Sequence, residues 1–310
     1  MIKKKRINNF TSYMSRHWGL YMMLMLPLAF FFVFSYMPMG NLLIAFMRNN
    51  ILISVYEAPW ERWVGLDNFR QAFNNPFFIR AVRNTVMFSV LDFAVGFPAP
   101  IILALLLNEL KFRHFKRVTQ TISYMPFFLS WVIIGGLAIR MFSPTDGSIN
   151  NIIVRAGFDP IPFINQNNPW IATNVMLSVW RHLGWNTIIY LAAITGVNPE
   201  LYEAADMDGA TRIQKMWNVT LPGIRPVILI LFILTMGQIM GADMARFLAL
   251  ENLLVRDVST IVPIFVWRWG LQGSHFSFTA AVGLVMSVVN LTLLFIANYG
   301  ARKFGGSGLW

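Results

Sequence analysis

Long apolar runs separated by short polar or basic segments set the pattern of this chain. They cover about residues 18–37, 78–107, 118–142, 171–196, 224–247 and 276–299, and each is long enough to cross a bilayer core as a helix. Pro38 and Gly40 punctuate the end of the first run, and residues 41–46 read as a shorter interfacial continuation. Pro98 and Pro100 should kink the second. Residues 47–76 are mixed and polar, with Pro59, Trp60 and Trp63 suited to the headgroup level. The Pro-, Asn- and Gly-rich stretch 143–169 shows no periodicity and reads as a loop, and 248–275 reads as another polar segment.

One polar island of helix-forming sequence interrupts this pattern, at residues 198–226. Asn198-Pro199 signals a helix start, with Glu200 and Glu203 in its first turn. Gly209 stands where a helix ends on a left-handed residue. A second short helix is expected over 211–219, with Pro222 and Pro226 opening the next apolar helix. Two short helices joined by a glycine turn, hung between two spans, make a knob that something outside the membrane could grip.

Composition agrees with a membrane protein: the chain is 56% hydrophobic and 13% charged over 310 residues. The absence of cysteine excludes disulfides, a Cys-based zinc site and a thiol nucleophile. The formal charge of +11 suggests an anionic partner. Its basic residues sit at the ends of apolar runs with no nucleic-acid motif, so the expected partner is membrane lipid and no nucleic acid. Lys3, Lys4, Lys5 and Arg6 before the first run resemble a signal peptide, but that run is too long and lacks a cleavage site, so a retained span is expected. With the amino terminus inside, every lysine falls on the inner side and the longer outer loops carry only arginines, which favours both termini cytoplasmic. The same orientation puts the polar island inside, where ATP is. There is no phosphate-binding loop motif, and His17, His114, His182 and His275 show no metal-ligand spacing, so no catalytic residue, metal site or bound cofactor is expected.

Glu203-Ala204-Ala205, then Gly209, then Val219 and Leu221-Pro222, resembles the cytoplasmic coupling loop of permease subunits in ATP-binding-cassette importers. Val219 stands where isoleucine is commonest in that family. Tyr36-Met37-Pro38, Trp63-Val64-Gly65-Leu66 with Asn68-Phe69, Gly96-Phe97-Pro98-Ala99-Pro100 and Ser307-Gly308-Leu309-Trp310 are similar to the maltose-type carbohydrate branch, nearest the oligosaccharide and polysaccharide permeases. The resemblance implies an all-α integral membrane protein with the type I (MetI-like) fold, which with the six runs gives six transmembrane helices. It implies a bacterial plasma-membrane location and uptake of an oligosaccharide or polysaccharide fragment. The implied partners are a second homologous permease chain, two ATPase subunits that use ATP and magnesium, and an extracellular solute-binding protein. The implied coupling residues are Glu203, Ala204, Ala205, Asp208, Gly209, Leu221 and Pro222. Alternatives are another cargo such as a glycerol phosphate ester, an ion-coupled secondary transporter, an intramembrane enzyme, or a plain amphipathic linker at the island.

Sugar chemistry directs attention to polar and aromatic residues inside spans, because pyranose faces stack on rings and hydroxyls need paired donors and acceptors. Asp92, Trp131, Trp180, Trp185, Asn186 and Gln238 are the candidates for a substrate pathway. For each tryptophan the alternative is packing or the interfacial belt; for Asp92 it is a hydrogen bond to a neighbouring helix. Arg181 and His182 are candidates for snorkelling, and Asp243 and Arg246 for pairing with each other. Gly237-x-x-x-Gly241 and Gly283-x-x-x-Ser287 read as close helix packing. The expected organisation is a basic tail at 1–17, the first span and outer segment at 18–77, a core at 78–303 and a short cytoplasmic tail at 304–310.

Overall fold

The computed structural model describes residues 13, 16–48, 59–305 and 308; the basic run 3–6 and Ser307, Leu309 and Trp310 of the tail lie outside the described residues. The chain forms two compact units, one from the described part of Met1–Gln71 with His275–Leu284, the other from Ala72–Ser274 with Val285–Trp310.

In the first unit, α1 (Trp18–Phe31) continues through a π-turn (Phe32–Tyr36) and a tighter 3-10 stretch (Met37–Phe46). Pro38 therefore does not end the helix; it sits in the first turn of the 3-10 stretch, just after the π-turn. Nearly every large apolar side chain of this helix is exposed. That is the pattern of a helix solvated by lipid or by another chain. Beyond it, Asn68 donates its side-chain amide to the carbonyls of Ala45 (2.8 Å) and Met47 (2.9 Å), and Phe69 packs on Phe46. The Asn68-Phe69 pair thus fastens the end of the first helix to α2 (Asp67–Asn74).

The second unit is built around one central helix. α3 (Pro76–Gly96) and α4 (Pro98–Asn108) are two halves of the second apolar run, broken at Phe97 where Pro98 and Pro100 follow. Asn75 caps α3 by accepting from the backbone of Phe77 (2.9 Å) and Phe78 (3.3 Å). The third run is not one span. α5 (Arg113–Tyr124) and a 3-10 turn at Met125–Phe128 meet α6 (Trp131–Phe142) at 103°. Pro126 removes a helical donor, Leu129 is extended, and Ser130 caps α6, so the chain turns inside an uninterrupted apolar stretch.

The expected loop 143–169 contains α7 (Ser148–Arg155). Buried Asn150 organises it, donating to the carbonyls of Ser143 (3.0 Å) and Ile161 (2.9 Å) and accepting from the Ile161 N–H (2.8 Å). A single buried side chain does here what periodicity would do in a longer element.

α8 (Asn167–Thr195, 29 residues) is about 43 Å long and packs against α3, α4, α5 and the later α11. Its neighbours cover it, so it can carry Asn174, Arg181, His182 and Asn186; it is absent from the helices apolar enough to span on composition alone. Four helices pass that test, or five if the bent pair counts as one span.

α9 (Pro199–Met207) and α10 (Arg212–Lys215) follow, and α10 runs without a break through a π-turn (Met216–Thr220) into α11 (Leu221–Met236). The second helix of the island and the fifth span are therefore one helix. The wider π-turn, with Leu221 N–H on the Met216 carbonyl, accommodates Pro222, whose ring would clash in a plain α-helix.

The fifth span itself ends at Met236, not Phe247. Residues 237–243 are unwound, and α12 (Met244–Leu250) begins after Asp243. A methyl on Gly237 would collide with Leu294, so that half of the small-residue pair packs closely, on α15 (Phe276–Gly305). A methyl on Gly283 would meet nothing within 4 Å among the described residues.

Segment 248–275 is not a polar loop. After a 3-10 turn at Leu253–Val255 it holds α13 (Arg256–Ser259) and α14 (Val262–Val266), and it buries Val255, Ile261, Ile264 and Phe265. Asn84 of α3 binds the carbonyls of Asp257 (2.8 Å) and Thr260 (3.0 Å), and Thr85 accepts from the Val262 N–H (2.9 Å). The core beside it centres on Phe88, Trp170 and Phe247, whose rings meet edge-on or tilted.

Candidate functional site

Two places in the second unit carry chemistry, and α8 joins them. The first is a cavity of about 310 Å³ between α3, the middle of α8 and the unwound segment after α11. Its polar lining is Ser89 and Asp92, Ser178, His182 and Asn186, and Thr235 and Gln238. Unwound backbone at membrane depth is tolerated where it lines a cavity or finds partners in protein. Here Ser89 donates to the Ile239 carbonyl, and the Met240 N–H finds Asn290 Oδ1 at 3.1 Å.

Two side chains pin the restart of the helix at α12. Asp243 caps it, taking the Ala245 N–H on Oδ1 (3.1 Å) and the Trp131 indole N–H on Oδ2. Arg246 is 2% exposed and does not pair with Asp243; its Nη2 lies 2.7 Å from Asp92 Oδ2 across the helix gap. The two residues separate because Asp243 is spent on the helix N-terminus, which leaves the arginine free to reach α3. Asp92 Oδ1 and Arg246 Nε are buried with no hydrogen-bond partner among the described residues.

Arg181 does not snorkel. Its Nε donates to the Leu129 carbonyl (3.2 Å), which the break between α5 and α6 has left without a helical donor. Its guanidinium lies 4.9 Å from the Trp131 ring and 5.4 Å from Phe127. Arg181 thus satisfies the carbonyl that the kink releases.

Of the six pathway candidates, Asp92, Asn186 and Gln238 line this cavity. The three tryptophans do not. Trp131 is buried and holds Asp243. Trp185 stacks on Phe127 at 4.4 Å and 4°, and Trp180 lines a separate apolar groove with Leu91 and Met176. Ser89, Ser178, His182 and Thr235 were not singled out as lining; the spacing of Ser178, His182 and Asn186 at every fourth residue of α8 is the signal that places them on one face.

The second place is the polar island at the end of α8. Asn198 caps α9, accepting from the Glu200 N–H (3.1 Å). The helix ends at Gly209 with φ +72, and the Ala210 N–H returns to the Ala205 carbonyl (2.9 Å). Thr211 and Gln214 form a capping box at the start of α10, and Lys215 Nζ sits 2.6 Å from Asp206 Oδ1. Underneath, Tyr202, Met216, Val219 and Leu221 pack on Tyr190, Ile194, Val197 and Ile224, and the Tyr202 hydroxyl donates to Thr220 (3.0 Å). Above, Glu203, Ala204, Asp208, Gly209 and Pro222 are exposed and Ala205 is half-buried. Leu201, Met207 and Ile213 are exposed as well, Met207 to 89%. The elbow is tied from within and presents carboxylates, small residues and uncovered apolar side chains outward. From Asn186 to Thr195 is about 14 Å along one helix.

Among proteins of known kind, the family of binding-protein-dependent transport system inner membrane components matches residues 96–305. This chain belongs to that family. The permease is 41% identical over 292 residues to protein LplB of Bacillus subtilis (strain 168), covering 94% of this chain and 91% of that one. It is 40% identical over 292 residues to the polygalacturonan/rhamnogalacturonan transport system permease protein YteP of the same organism, covering 94% and 90%. It also superimposes on a chain of the bacterial alginate ABC transporter crystallised with an alginate pentasaccharide-bound periplasmic protein, with TM-score 0.87 and 34% identity over 96% of this chain and 99% of that one. The permease is therefore a multi-pass protein of the bacterial inner membrane with the type I (MetI-like) fold. Membership leaves the ion-coupled transporter and the intramembrane enzyme without support.

Proposed function

We propose that this permease is the membrane subunit of an ATP-driven importer that takes up an oligosaccharide or polysaccharide fragment delivered by an extracellular solute-binding protein. It pairs with a second homologous permease chain, and two ATPase subunits dock beneath. The single observation that carries this reading is the elbow 198–226, rigid inside and uncovered outside, at the end of the same helix that walls the polar cavity. Relatives named for polysaccharide transport support the cargo class.

In this reading Ala204 and Ala205 let the ATPase backbone approach closely, and Glu203 and Asp208 meet basic groups or backbone N–H donors of the cleft. Gly209 sets the angle between the two helices of the elbow. Leu221 and Pro222 join the elbow to α11, so a rigid-body movement of the ATPases passes into α8 and α11 and reshapes the cavity between them. ATP and magnesium act in the partner subunits, and no catalytic residue is assigned here. Six spans with both termini cytoplasmic put the elbow on the ATP side: α8 crosses as a covered, partly polar helix, and the bent pair α5–α6 counts as one crossing.

The test is reconstitution of the complex that co-purifies with this chain, with ATP hydrolysis measured with and without its binding protein and sugar. Stimulation by the loaded binding protein is expected. Glu203→Lys or Gly209→Val should weaken ATPase association or uncouple it, while the subunit still inserts in the membrane. Loss of insertion with unchanged coupling in the inserted fraction would instead make the elbow a plain linker.

A further inference from the structure

Few side chains hold α9 to the rest of the elbow. No residue of α9 is buried; Tyr202 and Ala205 are half-buried, and of the two only Tyr202 joins the apolar cluster beneath. Apart from the chain itself at either end, two polar contacts fix the helix. Tyr202 donates to Thr220 Oγ1 at 3.0 Å, and one turn further along the same face Asp206 takes Lys215 Nζ at 2.6 Å. A helix fastened so sparsely is a lever whose stiffness lies in those contacts.

The two contacts differ in worth. The Asp206 side chain is 61% exposed, so its ion pair is screened by solvent and contributes little. Thr220 is 1% exposed, and its hydroxyl passes the bond on by donating to the Lys215 carbonyl at 3.4 Å. Tyrosine, threonine and backbone thus form one chain of donors and acceptors away from water, where losing a partner is costly.

The π-turn at Met216–Thr220 makes this chain possible. Thr85 and Thr235, in ordinary helix, donate to the carbonyls four residues back, Ala81 and Leu231. Thr220 reaches five back, because the wider turn brings residues five apart into line. In a plain α-helix Thr220 would lie about 140° round the axis from Lys215.

We propose that Tyr202 and Thr220 are positioning residues for coupling. Their bond makes α9 and α11 one body, so that a push received on α9 turns α11 instead of flexing the chain at Gly209. The proposal rests on the reading of the elbow as the ATPase contact and adds which internal bond carries the motion.

The experiment uses the cavity as reporter. Thr235→Cys places the chain's one thiol on α11 where that helix lines the cavity. Its rate of labelling by a membrane-impermeant maleimide is measured in the complex that co-purifies with this chain, nucleotide-free and after trapping with ATP, magnesium and vanadate. With Tyr202 and Thr220 intact, trapping should change the rate severalfold. With Tyr202→Phe or Thr220→Val added, that fold-change should fall toward unity, while the ATPase subunits still co-purify and hydrolyse ATP. Thr220→Ser keeps the hydroxyl and should keep the response, and Lys215→Met should leave it intact. Unfolding temperatures are read in parallel. A full response in Tyr202→Phe and Thr220→Val, a response lost only in Lys215→Met, or a loss that merely follows the unfolding temperature across all variants would overturn the assignment. A chain with which no ATPase subunit co-purifies would instead overturn the importer reading on which it rests, a distinct outcome.

Discussion

Asp92 and Arg246 show how charge survives in an apolar interior. Each alone would cost several kcal/mol at membrane depth, and together they span the gap between α3 and α12 with one 2.7 Å contact. The sequence makes Asp92 conspicuous because an ionised group in mid-span needs a partner or water. It does not name that partner. Spacing alone pairs Arg246 with Asp243, three residues away, on the assumption that both lie in one helix. Gly237 and Gly241 mark the unwinding that breaks this assumption, and an aspartate just after it is a helix cap. Arg246→Met should therefore cost about 3–5 kcal/mol, because it strands the Asp92 carboxylate, whereas the double change Asp92→Leu with Arg246→Met should recover most of that loss. Thermal unfolding of the detergent-solubilised complex, followed by tryptophan fluorescence, reads both. A double variant destabilised by as much as the Asp92→Leu and Arg246→Met single changes summed would show that the pair contributes no coupling.

At the scale of elements, hydropathy located the helices and missed their breaks. The run over 118–142 is apolar throughout, yet the chain turns by 103° within it. Pro126 and Ser130 were the visible signs, a proline followed by a cap residue, but apolarity across both masked them. The run over 171–196 was read as a span and is one, α8, although its polar residues lower its hydropathy; its packing shows why a bundle-centre helix can bear them. That packing is close. A methyl on Gly184 would run into the backbone of Ser123 and Tyr124, whereas one on Gly136 would meet nothing within 4 Å. Gly184→Ala should force α5 away from α8 at a cost of about 1–3 kcal/mol or more, seen as a lower unfolding temperature and reduced transport. Gly136→Ala is the matched control and should be neutral in stability. If both alanines behaved alike, the α5–α8 contact would be looser than described.

Over the whole molecule, the family and the fold class were readable because the elbow motif and the apolar runs are local features of sequence. The cavity was only half readable: Asp92, Asn186 and Gln238 were found from their residue types, while the tryptophans chosen for sugar stacking pack in the protein or face the apolar groove instead. Side-chain type signals what a residue can bind, and direction decides whether it does. The central claim is that the elbow 198–226 faces the cytoplasm and engages a separate ATPase. The native chain contains no cysteine, so a single introduced thiol reports without background. The most direct measurement is crosslinking of Glu203→Cys in intact cells and in inside-out vesicles. A thiol-specific crosslinker should join the cysteine to a co-purifying ATPase subunit, and a membrane-impermeant maleimide should label it only from the inner face. Labelling from the outer face, or a thiol that reacts freely from inside and never crosslinks to an ATPase, would contradict it.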